Sequence, residues 1–211
     1  MGKTCLVHRF LDSLPSHTYH PLYLHLSRLD SAAMLRLIAT ALGEKPSLGK
    51  DRLFRQILDK TREVERTVLL ALDEAHLLGE NTLTDLRLLI SAPAVRPAGI
   101  KLLLCGQEAL GKLLARASLA DLLNRIGVRY HLRPLTKDQT VCYIDQRLAA
   151  VGGSEQLFEL DAKHRIHDYC GGVPRAINNL ATVCLIHAAS SQLKRIPESL
   201  VADAAAELRL L

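Results

Sequence analysis

The period of the apolar positions changes several times along the chain, and each change marks an element. Leu6, Val7, Phe10, Leu11 and Leu14 recur at helical spacing. Residues 19–26 (YHPLYLHL) alternate polar and apolar and predict a strand, with Pro21 pointing to an edge or to an early position. Ser31 then caps a predicted helix that runs to about Leu42 and ends at Gly43. A second helix is expected from about Asp51 to Glu65, with Leu53, Phe54, Ile57 and Leu58 on its apolar face. Residues 67–72 (TVLLAL) are apolar after the leading Thr, the pattern of a strand buried on both faces of a parallel sheet. Residues 81–90 return to helical spacing, with Leu83, Leu86, Leu89 and Ile90 facing inward, and Pro93 and Pro97 break the chain after them. A further strand follows at 100–105 (IKLLLC), then helices at 108–117 and 119–126, and a last strand at 129–132 (RYHL) closed by Arg133-Pro134.

The pattern changes at Thr136. Thr136 with Gln139 three residues on is a capping box, and the helix it opens is expected to reach Val151 before Gly152-Gly153 stops it. Beyond it only helices are predicted, at about 156–169, 174–189 and 197–208. The chain therefore divides into an α/β module over 1–135 and a small all-helical module over 136–211.

Composition supports this reading. Of the 211 residues 48% are hydrophobic but only 4% aromatic, so Leu, Ala, Ile and Val must form the core, as suits helices packed on a sheet. No run approaches the ~18 apolar residues of a membrane span, and no signal-peptide layout opens the chain, so a cytoplasmic location is expected. The five cysteines are scattered and never in a C-x-x-C pair, which argues against zinc and against a disulfide framework. A net charge of +5 and a pI near 9.0 permit a polyanionic partner without demonstrating one.

Candidate chemistry gathers at strand ends. Asp73-Glu74 follows the apolar strand at the edge where open α/β sheets bind ligands; Asp73 is placed to serve a Mg²⁺ and Glu74 to polarise a water. Such pairs also occur as helix caps or solvated turns. Gly2-Lys3-Thr4 at a helix start is the closing half of a P-loop, in which Lys reaches phosphate oxygens and the hydroxyl ligates Mg²⁺. The leading Gly of that motif and its preceding strand do not appear in this sequence. Gln107, after the strand at 100–105, is placed either to touch a γ-phosphate and orient the attacking water or to lie in a solvated loop.

DEAHLL from Asp73, the strand-GQ-x-x-L ending at Leu110, NRIGVRYHLRPLT from Asn124 and GGVPRAINNLA from Gly171 come in an order and spacing that resemble the ExeA-like AAA+ ATPases. That branch includes the general secretion pathway A proteins and many transposon-encoded ATPases. The resemblance implies a P-loop NTPase core of three layers, here with a parallel sheet lacking its first strand, and a C-terminal helical lid. It implies ATP and Mg²⁺ as ligands, with Gly2, Lys3, Thr4 and Asp73 binding nucleotide and Thr4 and Asp73 the metal. Glu74, Gln107, Arg125 and Arg175 take the catalytic roles, Gln107 as strand-end sensor and Arg175 as lid-borne sensor. Arg125 is the arginine finger presented to a neighbouring subunit, with Arg129 as its competitor, and a trans finger implies a homo-oligomer, a ring or a filament. The expectation for the front of the chain is that the start is an internal Met of a longer reading frame, or that the gene is a decayed fragment. As written, the chain is then expected to bind ATP weakly and hydrolyse little.

The wording TLTDLRLLI and PRAINNLATVCLI is closer to the transposon-encoded members. The leading expectation is thus an ATP-dependent regulator of transposition that binds duplex DNA through its backbone and serves a transposase, with Lys112, Arg116, Arg129, Arg133 and Lys137 as candidate phosphate contacts. The alternatives are a general secretion pathway A-type ATPase and a catalytically inactive AAA+ interaction module.

Overall fold

The structure is a computed structural model that describes residues 2–91 and 99–209; the breaks expected at Pro93 and Pro97 lie outside the described residues. The chain divides into two compact units, Lys3–Tyr130 and a second formed by the residues from His131 on.

The first unit runs α1 (Lys3–Asp12), β1 (Tyr19–His25), α2 (Ser31–Ala41), α3 (Lys50–Glu63), β2 (Thr67–Asp73), α4 (Glu80–Ser91), β3 (Ile100–Leu104), α5 (Glu108–Leu114) and α6 (Ala120–Leu123). The described strands form one parallel sheet of order β1-β2-β3, with Tyr19 opposite Thr67 and Val68 opposite Ile100. β2 is central and buried from Val68 to Asp73 because both its faces are covered. Successive side chains point to opposite faces. Val68, Leu70 and Leu72 therefore meet Met34, Leu35 and Ile38 of α2, Leu53 and Ile57 of α3, and Leu83 and Leu86 of α4. Leu69 and Ala71 meet Val7 and Leu11 of α1 on the other face. Helices thus lie on both faces of a parallel sheet, the three-layer α/β class that the sequence predicts.

Pro21 sits on β1, at an edge of the sheet, where its missing N–H removes no ladder bond from an inner strand. The cap of α2 is Asp30 rather than Ser31: its carboxylate accepts from the Ala33 amide, and Ser31 is already helical. Ser31 is instead committed to a side-chain hydrogen bond with Asp85.

One predicted element does not form. Residues 129–132 are not a strand; they lie in an irregular stretch in which Val128 is 87% and Tyr130 84% exposed. Alternation of polar and apolar residues makes a strand only where a neighbour completes the ladder. Among the described residues β3 pairs with β2 alone, and no strand is placed to receive this segment.

The second unit packs α7 (Lys137–Ala149), α8 (Leu160–Cys170), α9 (Pro174–Ser190) and α10 (Glu198–Arg209) around Ile144, Phe158, Ile166, Ile177, Leu180 and Val201. Both halves of the capping box form: the Gln139 amide donates to Thr136 Oγ1 at 3.3 Å, and the Thr136 amide donates to Gln139 Oε1 at 3.0 Å. α8 starts later than the sequence predicts because Glu155–Leu157 makes a 3₁₀ turn and Phe158 forms a single bridge to Ile196. Gly171 and Gly172 both adopt positive φ at the end of α8. The Leu135 amide donates to the Gly172 carbonyl at 2.9 Å, which ties the Arg-Pro-Leu-Thr stretch to the Gly-Gly-Val-Pro stretch. Among the described residues no helix is long and apolar enough to cross a membrane.

Candidate functional site

The candidate site is built at the C-terminal end of β2, where the last residue of the strand is a carboxylate with a fully buried side chain. Asp73 is 1% exposed, and a buried charge must be paired by donors. Thr4, in the first turn of α1, donates its hydroxyl to Asp73 Oδ2 at 2.6 Å. Tyr23 of β1 donates its phenol to the same oxygen at 3.1 Å, and the Glu74 amide donates to Oδ1 at 2.9 Å. Burial, the largest influence on the Asp73 carboxyl, works to raise its pKa. The hydrogen bonds from Thr4, the Glu74 amide and Tyr23 outweigh burial and hold it below the usual carboxylate value. Asp73 is therefore ionised at neutral pH.

Two further groups stand at this carboxylate. Burial and the Asp73 charge push the Cys105 thiol up to about 11, while the ammonium of Lys3 acts on the same thiol in the opposite sense. The strand ends are locked together, since the Ala75 amide donates to the Cys105 carbonyl at 2.8 Å and the Cys105 amide to the Leu72 carbonyl at 2.9 Å. Gly106 sits so near this junction that a Cβ there would lie 3.1 Å from the His76 amide nitrogen.

Glu74 follows in the left-handed conformation, φ 56° and ψ 31°, which costs a non-glycine residue about 1 kcal/mol. The turn swings its carboxylate away from the strand axis to within 3.2 Å of His76 Nδ1, although the buried Nδ1 is not aligned for a hydrogen bond. Gln107 is the N-cap residue of α5 at the same end of the sheet; its side chain is exposed and makes no cap bond. Gly2 has φ +72° and is exposed immediately before α1.

Of the residues singled out in the sequence, the fold gathers Lys3, Thr4, Asp73 and Glu74 at one place, with Gln107 at the same sheet end. The arginines belong to other elements. Arg125 follows α6, is exposed, and makes no ion pair among the described residues; Arg129 donates to the Leu123 carbonyl at 3.3 Å. Arg175 is the second residue of α9 in the helical unit and is also exposed. Three of the five basic residues proposed for phosphate contact are already paired: Lys112 with Glu108, Arg116 with Glu80, and Lys137 with Asp168.

An open cleft of about 1190 Å³ adjoins the first turns of α2 and α4. It is lined by Asp30, Lys50, His76, Glu80, Asp85 and Arg116 among others, and neither Thr4 nor Asp73 belongs to it. Buried Asp85 binds Lys50 there at 2.8 Å. The sequence reading missed Tyr23 and Cys105, both of which face Asp73. Their signal is the parity of positions on adjacent strands, which becomes legible only once the register Tyr23 to Ala71 is known.

The donor set fits Mg²⁺. One ionised carboxylate and one hydroxyl, both hard oxygen donors, are what this ion takes from a protein when phosphate oxygens and water complete its shell. The first turn of α1 adds unpaired amides and the Lys3 ammonium, a setting suited to an anionic phosphate.

The profile of the family described as AAA domain matches residues 1–114, more than half of the chain. The chain belongs to the AAA domain family. It is 30% identical over 197 residues to the general secretion pathway protein A of Aeromonas hydrophila, and the match takes in 89% of this chain and 35% of that protein. The chain therefore spans about a third of the length of that relative. Among solved structures it is similar to the Aeropyrum pernix ORC2 protein in its ADP form, with a TM-score of 0.71 at 19% identity over 98% of this chain and 59% of that one. It is similar also to Cdc6p from Pyrobaculum aerophilum, with a TM-score of 0.70 at 21% identity over 92% and 55% of the two chains. The Aeropyrum pernix ORC1 protein in complex with DNA matches with a TM-score of 0.71 at 18% identity, over 98% and 56%. These three likenesses establish an AAA+ P-loop fold.

Proposed function

We propose that this chain binds ATP with Mg²⁺ at the Thr4–Asp73 cluster, hydrolyses it, and uses the nucleotide cycle to control assembly on duplex DNA during transposition. The observation that carries the nucleotide part is the 2.6 Å hydrogen bond from Thr4 to Asp73, which joins the half P-loop to the acidic strand end. Thr4 and Asp73 would hold the Mg²⁺, which would supply neutralisation of charge on the phosphates. Lys3 and the first-turn amides of α1 bind and orient the phosphate chain. Glu74 accepts a proton from the attacking water, and Gln107 holds that water or the terminal phosphate from the neighbouring strand end.

Arg125 is the finger that reaches the nucleotide of a neighbouring subunit, and its exposure and its lack of an ion pair among the described residues favour it over Arg129, whose guanidinium is engaged by a carbonyl. Arg175 is the lid-borne sensor. A finger acting in trans makes the working form a homo-oligomer, a ring or a filament, with duplex DNA and a transposase as partners.

A second reading, an ATPase of the general secretion pathway, is supported by the 30% identity to the secretion protein of Aeromonas hydrophila. Duplex DNA binding, measured with and without ATP·Mg²⁺ at two salt concentrations, separates the two. Backbone contacts release counterions, so the transposition reading expects ATP-promoted binding that falls steeply with salt. Nucleotide binding without DNA binding under any condition favours the secretion reading.

A further inference from the structure

We propose that Tyr23 is a positioning residue that fixes the Asp73 carboxylate for the metal. The inference rests on the nucleotide reading above and adds to it a residue outside both the P-loop and the acidic strand end.

Asp73 Oδ2 accepts from two hydroxyls, Thr4 at 2.6 Å and Tyr23 at 3.1 Å. The two donors differ in what else they must do. Thr4 is the hydroxyl that a bound metal would take as a ligand, through an oxygen lone pair, while its O–H still points to Asp73. Tyr23 has no such second duty and can keep its bond in both states.

Its placement suits that role. Tyr23 lies opposite Ala71 on the adjacent parallel strand, two residues before the position opposite Asp73, so its side chain shares a face with Asp73 and reaches it diagonally. The ring packs in the cluster of Val7, Leu11, Leu69 and Ala71, and it meets the His8 ring at 4.2 Å between centroids with the planes 44° apart. His8 is one turn beyond Thr4 on α1. The phenol is therefore braced by the same helix that carries the metal hydroxyl, and Tyr23 joins α1, β1 and β2 at one carboxylate.

Tyr23→Phe tests this, because it deletes the hydroxyl and keeps the ring. Binding of a fluorescent ADP is measured first in EDTA and then through a Mg²⁺ titration, on the wild-type chain and the variant. The expected result is equal affinity in EDTA and an apparent Mg²⁺ requirement raised about tenfold in Tyr23→Phe, the effect of losing one hydrogen bond to a charged group. A residue that only packs would leave both quantities unchanged, and superimposable Mg²⁺ curves overturn the proposal. A thermal melt within a few degrees of wild type checks that ring packing survives. A wild-type chain with no affinity for the ADP in EDTA or Mg²⁺ removes the nucleotide reading, and this inference falls with it. Nucleotide binding that persists while the Mg²⁺ curves coincide removes Tyr23 alone.

Discussion

The Thr4 hydroxyl donates to Asp73 Oδ2 at 2.6 Å across 69 positions of sequence, joining the head of α1 to the end of β2. This bond helps to hold the Asp73 pKa below the unfolded value of about 3.8, and the sign of the consequence is fixed. A depressed carboxylate contributes stability above its unfolded pKa and loses it as pH falls through the folded one. Urea midpoints should therefore fall between about pH 4 and the folded pKa. Thr4→Val should lower stability at pH 7 by about 1 kcal/mol and flatten that acid limb. An unchanged acid limb in Thr4→Val would show that Thr4 does not govern Asp73.

Glu74 separates stability from chemistry. Its left-handed backbone favours glycine, so Glu74→Gly should raise stability by about 1 kcal/mol while abolishing turnover. Glu74→Gln keeps the strain and should retain nucleotide while turnover falls at least about a hundredfold, the range of a lost general base. Thermal melts and phosphate release on both variants decide it. Full turnover in Glu74→Gln rules out Glu74 as the activating residue.

These two residues also mark where sequence reasoning reached and where it stopped. The continuous apolar run of β2 and its acidic end are legible because burial on both faces leaves no polar position between Thr67 and Asp73. The helical half is legible because caps and glycines punctuate it, as at Thr136 and Gly171. Tyr23 is not legible, because its role depends on the pairing of β1 with β2, a relation between distant segments with no local signature. Residues 129–132 fail for the same cause in reverse, since their alternation is local and the neighbour that a strand needs is not.

Arg125→Ala should reduce ATPase activity only in the assembled state, because a finger acts on a neighbour's nucleotide. Activity is measured at rising protein concentration, alongside sedimentation to report assembly. Equal loss in the dilute and assembled states would assign Arg125 a local structural role instead.

The cysteines sort by exposure. Burial raises the thiols of Cys105, Cys170 and Cys184 to about 11, whereas Cys5 and Cys142 are exposed. Iodoacetamide at pH 8 followed by peptide mass mapping should modify Cys5 and Cys142 first and leave the other three until the chain is unfolded. A raised thiol pKa also means that stability present below the unfolded thiol value is lost as pH rises towards the folded one, so alkaline unfolding should begin above about pH 9. Labelling of Cys184 at the rate of Cys142 in native protein would contradict the burial.

Gly172 gives the sharpest structural test in the helical unit. Its φ of +71° already disfavours a side chain, and a Cβ built there would stand 2.0 Å from the Leu135 carbonyl oxygen. That oxygen is backbone and cannot rotate aside, and the Leu135 amide is itself bound to the Gly172 carbonyl at 2.9 Å. Gly172→Ala must therefore break the tie between the two stretches or distort α8 at its end, a loss of about 4 kcal/mol from strain and lost hydrogen bonding. Gly171→Ala provides the control: its φ is +56°, but nothing lies within 4 Å of the added Cβ, so only the conformational cost of about 1 kcal/mol applies. Denaturant unfolding of both variants checks the order. Equal destabilisation would mean that φ alone sets the requirement and that the approach of Leu135 does not.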